Sequence, residues 1–320
     1  AFDEQRSIVY YTEATATIQR KLMAVNVLSN KATCLTPENG THAIQWLEGN
    51  KYFVDKYSAI NQVPVISLKT SAGKLIKVLE SNKDLADKMQ QYDLSNVALT
   101  TIPAEFSYMK VPLNAWLIKP SNFDSTKKYP VLLYQYSGPG SQEVADKFPI
   151  KDYFWYQMLA QKGYIIVCVD GVGTGFRGAK FKKATYLQLG KYESEDQINV
   201  AKYFATLSYV DPSRIGIWGW SFGGFMSATC ILKGNALFKT AVSVAPVTNW
   251  RYYDNIYTER YMRTPQENAA GYDDNAPDQM AHLLKGNLLL IHGTADDNVH
   301  VQNEMSLVNN LIKYNKQFDS

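Results

Sequence analysis

Hydrophobic residues are spaced in two ways along this chain, and the change falls near residue 92. Up to about Glu80, short runs alternate apolar with polar positions: Ser7-Ile-Val-Tyr-Tyr, Lys21-Leu-Met-Ala-Val-Asn-Val, Lys51-Tyr-Phe-Val-Asp-Lys-Tyr, Val63-Pro-Val-Ile-Ser-Leu and Lys74-Leu-Ile-Lys-Val-Leu. A period of two is that of a strand with one covered face. Turn-forming clusters Pro37-Glu-Asn-Gly40, Glu48-Gly-Asn50 and Ser71-Ala-Gly73 separate the runs, so the segment predicts an antiparallel meander. Its length fits about two four-stranded propeller blades of roughly 40 residues each. Residues 1–92 are therefore expected to be the C-terminal part of a β-propeller domain, with a small free-standing sheet as the alternative. Asn82 to Tyr92 reads as a short polar helix linking the two parts.

Beyond residue 92 the apolar runs become continuous: Ala115 to Ile118, Val131 to Tyr136, Tyr164 to Asp170, Arg214 to Trp218, Thr240 to Ala245 and Asn287 to His292. Between them lie helical stretches at Tyr153 to Gln161, at Glu193 to Leu207 with Ile198, Ala201 and Phe204 on one face, and after Ser221. A last helix is expected from Gln302 to Tyr314, with Met305, Val308 and Ile312 pointing inward. Strands apolar on both faces, alternating with amphipathic helices, predict an α/β fold with a doubly wound parallel sheet over residues 93–320.

Composition changes this picture little. Of 320 residues, 46% are hydrophobic and 20% charged, an ordinary globular balance. The net charge of +3 is spread without a basic block, so nucleic acid is not an expected partner. Cys34, Cys168 and Cys230 are far apart and form no C-x-x-C; the last two fall within a strand and a helix and read as buried free thiols. No run of 18 apolar residues exists. The opening Ala-Phe-Asp-Glu-Gln-Arg has neither a start methionine nor a signal sequence, and Ala1 reads as a cut end.

Chemistry enters at Gly219-Trp220-Ser221-Phe222-Gly223, a G-x-S-x-G directly after an apolar strand and before a helix. That setting is the nucleophile elbow of α/β-hydrolases: the chain reverses so sharply that the serine is held strained with its hydroxyl above the sheet. Ser221 is the first candidate for a nucleophile. In such folds the order is Ser, acid, His. The strand Asn287 to His292 runs into Gly293-Thr-Ala-Asp296-Asp297-Asn298-Val-His300, where either Asp296 or Asp297 could orient a histidine. Of the four histidines, His42, His282, His292 and His300, only His300 follows that acid, and four residues leave it too little chain to reach Ser221; all four read as structural.

A rival motif, Gly173-Thr-Gly175-Phe-Arg-Gly178, matches the dinucleotide fingerprint G-x-G-x-x-G. Its strand ends in Asp170 and the following Phe181 to Gly190 lacks helical period, so no nucleotide cofactor is expected. No H-E-x-x-H or similar cluster suggests a metal.

The elbow, the run His292 to His300, Tyr136-Ser-Gly-Pro-Gly-Ser-Gln142 and the aromatic run Ala245 to Tyr261 together strongly resemble the prolyl oligopeptidase family of serine peptidases, in its bacterial form. The resemblance extends from about Ile8 to the end and is most specific after Pro130. It implies an α/β-hydrolase fold preceded by propeller strands, with Ser221 as nucleophile and Asp296 as acid. Tyr136 and the backbone N–H of Phe222 would hold the oxyanion. Val247, Trp250, Tyr253, Tyr257 and Val299 would form an apolar box for a proline or alanine side chain, with Asn298 on the preceding carbonyl. Peptides are the implied substrates. The reaction would be release of N-terminal dipeptides with proline or alanine second, through an acyl-enzyme. An endopeptidase, acylaminoacyl or tripeptidyl peptidase, or an inactive binding scaffold, is the alternative. The family places its histidine roughly 30 residues after the acid, and its paired glutamates for a free amino terminus in earlier propeller strands. The chain is thus expected to be truncated at both ends and, alone, to turn over little. The resemblance further implies a periplasmic, secreted or cell-surface protein and admits a homodimer.

Overall fold

The computed structural model describes residues 1–234 and 236–320. They form two compact units, one of residues 1–97 with 145–157 and the other of residues 98–144 with 158–320. The division sits close to the change in hydrophobic spacing, except that 93–97 and 145–157 group with the earlier unit. Asp146 accounts for much of that. Its carboxylate accepts the Ile60 N–H at 2.9 Å and the Gln19 side-chain amide at 3.0 Å, while its carbonyl accepts the Thr41 hydroxyl at 2.9 Å.

The first unit holds an eight-stranded sheet made of two meanders. One comprises β1 (Phe2–Asp3), β2 (Ile8–Thr15), β3 (Gln19–Asn26) and β4 (Lys31–Cys34), each antiparallel to the next. The other comprises β5 (Thr41–Trp46), β6 (Tyr52–Ala59), β7 (Gln62–Thr70) and β8 (Leu75–Glu80), again antiparallel throughout. A single parallel register, Arg20 to Thr41, joins them. Two four-stranded meanders are what two propeller blades look like. β1, β4 and β5 escaped the sequence pattern because they are short or alternate around polar residues. The apolar centre is small: Tyr10, Leu22 and Phe53, with Trp46 tilted between Tyr10 and Phe53 at ring distances of 4.4 and 5.1 Å. The polar link Asn82 to Tyr92 contains the helix α1 (Lys83–Met89).

The second unit is built on seven strands: β9 (Val97–Ile102), β10 (Leu113–Ile118), β11 (Tyr129–Tyr134), β12 (Ile165–Asp170), β13 (Val210–Trp220), β14 (Thr240–Val244) and β15 (Asn287–Ile291). Their order is β9-β10-β12-β11-β13-β14-β15. β10 runs antiparallel to β12; β12, β11, β13, β14 and β15 are mutually parallel. After α2 (Tyr153–Gln161), which begins in the first unit and ends in this one, its helices are α3 (Ala179–Lys182), α4 (Lys191–Ala205), α5 (Phe222–Lys233), α6 (Asn255–Met262), α7 (Ala269–Asp273) and α8 (Gln302–Lys313). After α8 the chain returns to the sheet edge, where Asp319 exchanges hydrogen bonds with Leu288 and Leu290 of β15 at 2.9 and 2.8 Å.

This is the expected doubly wound sheet, and the strand order explains where a site can form. From β11 the chain crosses one way to β12; from β13 it crosses the other way to β14 and β15. Right-handed crossovers in opposite directions put their helices on opposite faces and open a crevice beyond the carboxyl ends of β11 and β13. Tyr136 follows β11 and Ser221 follows β13.

Two helix faces differ from expectation. On α8, Val308 packs partly buried against the core as expected, but Met305 and Ile312 are exposed (44% and 63%), and Asn303, Glu304, Leu307 and Leu311 point inward. The inner stripe includes two polar residues, which shifted the apparent apolar face. On α4, Ala201 and Phe204 are buried as expected, but so are Glu193, Ser194, Asp196 and Gln197. Those side chains hold neighbouring loops. Cys168 and Cys230 are buried free thiols, as their positions implied.

Candidate functional site

Gly219, Ser221 and Gly223 occupy the turn from β13 into α5. Ser221 has φ 59° and ψ −117°, a region that costs a non-glycine residue about 1–3 kcal/mol and persists only where its surroundings enforce it. The enforcement is visible. The Ser221 N–H donates to the Val244 carbonyl at 2.9 Å, and the Phe225 N–H caps the Ser221 carbonyl at 2.9 Å. A Cβ on Gly219 would lie 2.5 Å from the Gln135 carbonyl oxygen, and one on Gly223 would strike the same atom. Only glycine lets the two strand ends close around the serine.

Tyr136 meets Ser221 there: the two hydroxyls share a hydrogen bond. Burial pushes the Tyr136 phenol above its ordinary value, the hydrogen bond to Ser221 works against this, and the Glu143 charge adds to it. Tyr136 is thus a neutral O–H donor at physiological pH. Its loop is fixed from behind. Gln135 donates to the Gly223 carbonyl at 2.7 Å and the Ser227 hydroxyl at 3.2 Å. Gln197 donates to the Ser137 hydroxyl at 3.3 Å, and the Tyr134 hydroxyl donates to Glu143 at 2.9 Å. Phe222 is the first residue of α5, where backbone N–H groups have no intrahelical acceptor.

The glycine-rich loop after β12 serves this same support. The Gly175 N–H donates to the Ser141 carbonyl at 2.8 Å, and the Gly140 N–H donates to the Gly173 carbonyl at 2.9 Å. The helix that follows, α3, is only 4 residues long.

Val247, Trp250 and Val299 fall in one buried cluster with Phe222, Phe225 and four further residues, and Tyr136, Tyr253, Tyr257 and Tyr261 pack against it. Trp250 is its hub. It stacks on Tyr257 (5.9 Å, 20°) and meets Tyr253 and Phe225 edge-on at 5.8 and 5.3 Å. Tyr253 and Tyr257 stand perpendicular at 5.4 Å. Burial, reinforced by the neighbouring tyrosines, pushes the Tyr257 phenol far above its ordinary value. Such a cage offers flat apolar walls with neutral hydroxyl tips.

Asp296 lies in the turn after β15, two strands from β13, which corresponds to roughly 10 Å at ordinary strand spacing. Its Oδ1 accepts the N–H groups of Asn298 and Val299 at 3.0 and 2.9 Å. Asp297 is exposed. The turn is joined to the aromatic cage by the Tyr253 hydroxyl, which donates to the Asn298 side-chain oxygen at 2.9 Å, and by Val299 within the cluster.

Each histidine is placed. His42 is buried against Asp55 in the first unit, His282 packs on Tyr314, and His300 is exposed before α8. His292 is buried beside Asp296, donating Nε2–H to the Val299 carbonyl at 2.6 Å. Sequence reasoning missed the supports Gln135, Gln197, His292 and Glu304. The one available signal was Gln135, a polar residue in the otherwise apolar run Val131 to Tyr136.

Comparison with known proteins agrees with this geometry. Residues 152–320 match the prolyl oligopeptidase family. A Podospora anserina protein named "Probable dipeptidyl-aminopeptidase B" is 43% identical over 97% of this chain and 33% of its own length; a Pyrenophora tritici-repentis protein of the same name is 42% identical over 97% and 35%. The crystal structure of Porphyromonas gingivalis dipeptidyl peptidase 4 superposes with a TM-score of 0.95 at 41% identity, covering 100% of this chain and 44% of that one. The chain spans about a third of the length of the curated relatives it matches.

Proposed function

Because the chain belongs to the prolyl oligopeptidase family, we propose that it carries the catalytic centre of a serine dipeptidyl peptidase. The observation that carries this reading is the strained Ser221 at the switch point, its hydroxyl hydrogen-bonded to Tyr136 beside an aromatic cage. In this reading the Ser221 Oγ attacks the carbonyl after the second residue of the peptide. The tetrahedral oxyanion takes hydrogen bonds from the neutral Tyr136 hydroxyl and the Phe222 N–H. Collapse expels the rest of the peptide and leaves a dipeptidyl ester on Ser221, which water then hydrolyses.

Specificity follows from the cage. Val247, Trp250, Tyr253, Tyr257 and Val299 would enclose a pyrrolidine ring and accept a methyl group less tightly, so proline is preferred over alanine by a graded factor, on the order of 10- to 200-fold. The Asn298 amide, its oxygen held by Tyr253, presents its N–H groups to the preceding carbonyl. Asp296, fixed by two backbone N–H groups, orients the imidazole of the general base. None of the four histidines is that base in this reading, so the 320 residues by themselves turn over slowly. The family resemblance alone supports a periplasmic, secreted or cell-surface site of action.

The test is hydrolysis of a glycyl-prolyl chromogenic substrate by the protein and by variants. Ser221→Ala is expected to remove essentially all triad-dependent rate, up to the order of 10⁶-fold in a fully assembled enzyme. Tyr136→Phe is expected to lower kcat on the order of 10²-fold or more with little change in KM. In the enzyme with its general base in place, turnover indifferent to Ser221→Ala would refute the assignment. Rapid Ser221-dependent turnover by these residues alone would instead assign the base to one of the four histidines, beginning with His300.

A further inference from the structure

His292 ends the run from β15 into the turn that carries Asp296, Asn298 and Val299, and its side chain is 1% exposed. One ring nitrogen, Nε2, lies 2.6 Å from the Val299 carbonyl and 3.5 Å from Asp296 Oδ2. The other, Nδ1, faces Glu304 Oε2 of α8 at 3.4 Å, and that carboxyl is also buried, at 6%. Neither Nδ1 nor Oε2 has a well-formed hydrogen bond elsewhere.

The donor and acceptor inventory makes this arrangement informative. A carbonyl only accepts, so Nε2 carries a hydrogen. If the ring were neutral, Nδ1 would then be an acceptor, and an ionised Glu304 is an acceptor as well. Two lone pairs facing each other in a buried site are repulsive and cost far more than in water. A proton therefore belongs between them, on the ring or on the carboxyl. Asp296 on the turn and Glu304 on α8 are the titratable groups within 4 Å of the ring.

We infer that His292 is a positioning residue for the acid-bearing turn. Backed by Glu304, it holds the Val299 carbonyl and so fixes the backbone whose Asn298 and Val299 N–H groups aim Asp296. The inference rests on the proposed role of Asp296, but its mechanical content can be tested without turnover.

The experiment is amide hydrogen exchange of Asn298 and Val299, read by NMR on the intact chain, with the imidazole nitrogens of His292 observed in parallel. His292→Phe keeps the ring volume and removes the donor; exchange at both amides should rise about tenfold, the equivalent of one hydrogen bond. Glu304→Gln offers Nδ1 an N–H that does not titrate, and protection should remain at the wild-type level. Glu304→Leu strands Nδ1 without a partner while the Nε2–H tautomer can still donate, so exchange should rise, but by less than in His292→Phe. The wild-type spectrum should show a protonated Nε2. Unchanged exchange in His292→Phe, or an Nε2 without hydrogen, overturns the inference. Failure of Ser221→Ala to affect hydrolysis by the enzyme with its general base in place would sink the peptidase reading while leaving these exchange results untouched. Should His292→Phe fail to fold, the Glu304→Gln and Glu304→Leu pair still decides, because only a hydrogen-bond role separates them in this direction.

Discussion

Both units bury carboxylates, and they neutralise them in opposite ways. In the first unit Asp55 of β6 lies between His42 of β5 and Lys69 of β7: its oxygens accept from His42 Nδ1 at 3.0 Å, and Lys69 Nζ lies 2.8 Å from Oδ2. Burial pushes this carboxyl up, but the hydrogen bonds from His42 and Lys69 and their charges outweigh it and hold Asp55 below its ordinary value. In the second unit Asp170, Asp196 and Glu193 are buried with backbone N–H groups as their main partners. Burial pushes them to about 7, about 6 and about 8, and the backbone hydrogen bonds oppose this only in part. One unit uses a charge to tie strands together. The other uses acids whose ionisation burial opposes as hooks for loops, and the loop held by Asp170 through the Glu143 and Val144 N–H groups carries Tyr136.

The comparison has consequences at opposite ends of the pH scale. A depressed carboxyl such as Asp55 contributes stability that is present above its unfolded value of 3.8 and is lost as pH falls through its folded value. A raised carboxyl such as Glu193 contributes stability that is complete below its unfolded value of 4.5 and is lost as pH rises through about 8. Acid should loosen the first unit and mild alkali the second.

The largest expected effect is at Asp55. Asp55→Ala leaves Lys69 and His42 facing an empty buried site, and the cost of breaking such a pair by removing one partner is about 3–5 kcal/mol. Hydrogen exchange of the β5 to β7 amides under mild denaturant should report that loss, with the amides of β11 to β13 unchanged. A loss below about 1 kcal/mol would mean that the cluster is screened like a surface pair, and the contrast between the units would disappear.

These networks also mark where sequence reading succeeded and where it stopped. Strands such as Ile165–Asp170 and the helix Tyr153–Gln161 were legible because apolar period alone specifies them. Ser221 was legible because its strained turn demands glycine at two fixed offsets. The inner faces of α4 and α8 were not, since Glu193, Asp196, Asn303 and Glu304 look like solvated positions until the loops that they hold are in view. The G-x-G-x-x-G run was a true signal of close backbone approach; what it approaches is the loop of Gly138 to Ser141, where a Cβ on Gly175 would lie 2.6 Å from the Gly140 carbonyl oxygen. His292 was invisible for a related reason: nothing in the sequence says that a ring four residues before an acid turns back toward it.

A middle-sized effect is expected at Asp196, whose two oxygens accept the Tyr108 N–H at 2.6 Å and the Val172 N–H at 2.7 Å. Asp196→Asn keeps one acceptor and turns an NH2 group toward the other N–H. The cost is about 1–3 kcal/mol, confined to the second unit, and urea midpoints with hydrogen exchange would locate it. Equal loosening of both units would show that Asp196 does not act as a local hook.

The smallest effect is the most diagnostic of the contrast. Glu193 Oε2 accepts the Gly190 N–H at 3.0 Å, an acceptor role that the oxygen of glutamine reproduces. At pH 5, where Glu193 is protonated in the folded protein, Glu193→Gln should change stability by less than about 1 kcal/mol. As pH rises toward 9 the wild type must either ionise a buried carboxyl or hold its proton at increasing cost, and the glutamine variant must do neither. The variant should therefore gain on the wild type between pH 5 and about 8 and level off above it, and Asp170 and Asp196, present in both proteins, cancel in the difference. Urea midpoints at pH 5, 7 and 9 measure that gap. A gap that stays constant would place an unrecognised cation against Glu193 and make the second unit's acids resemble Asp55 after all.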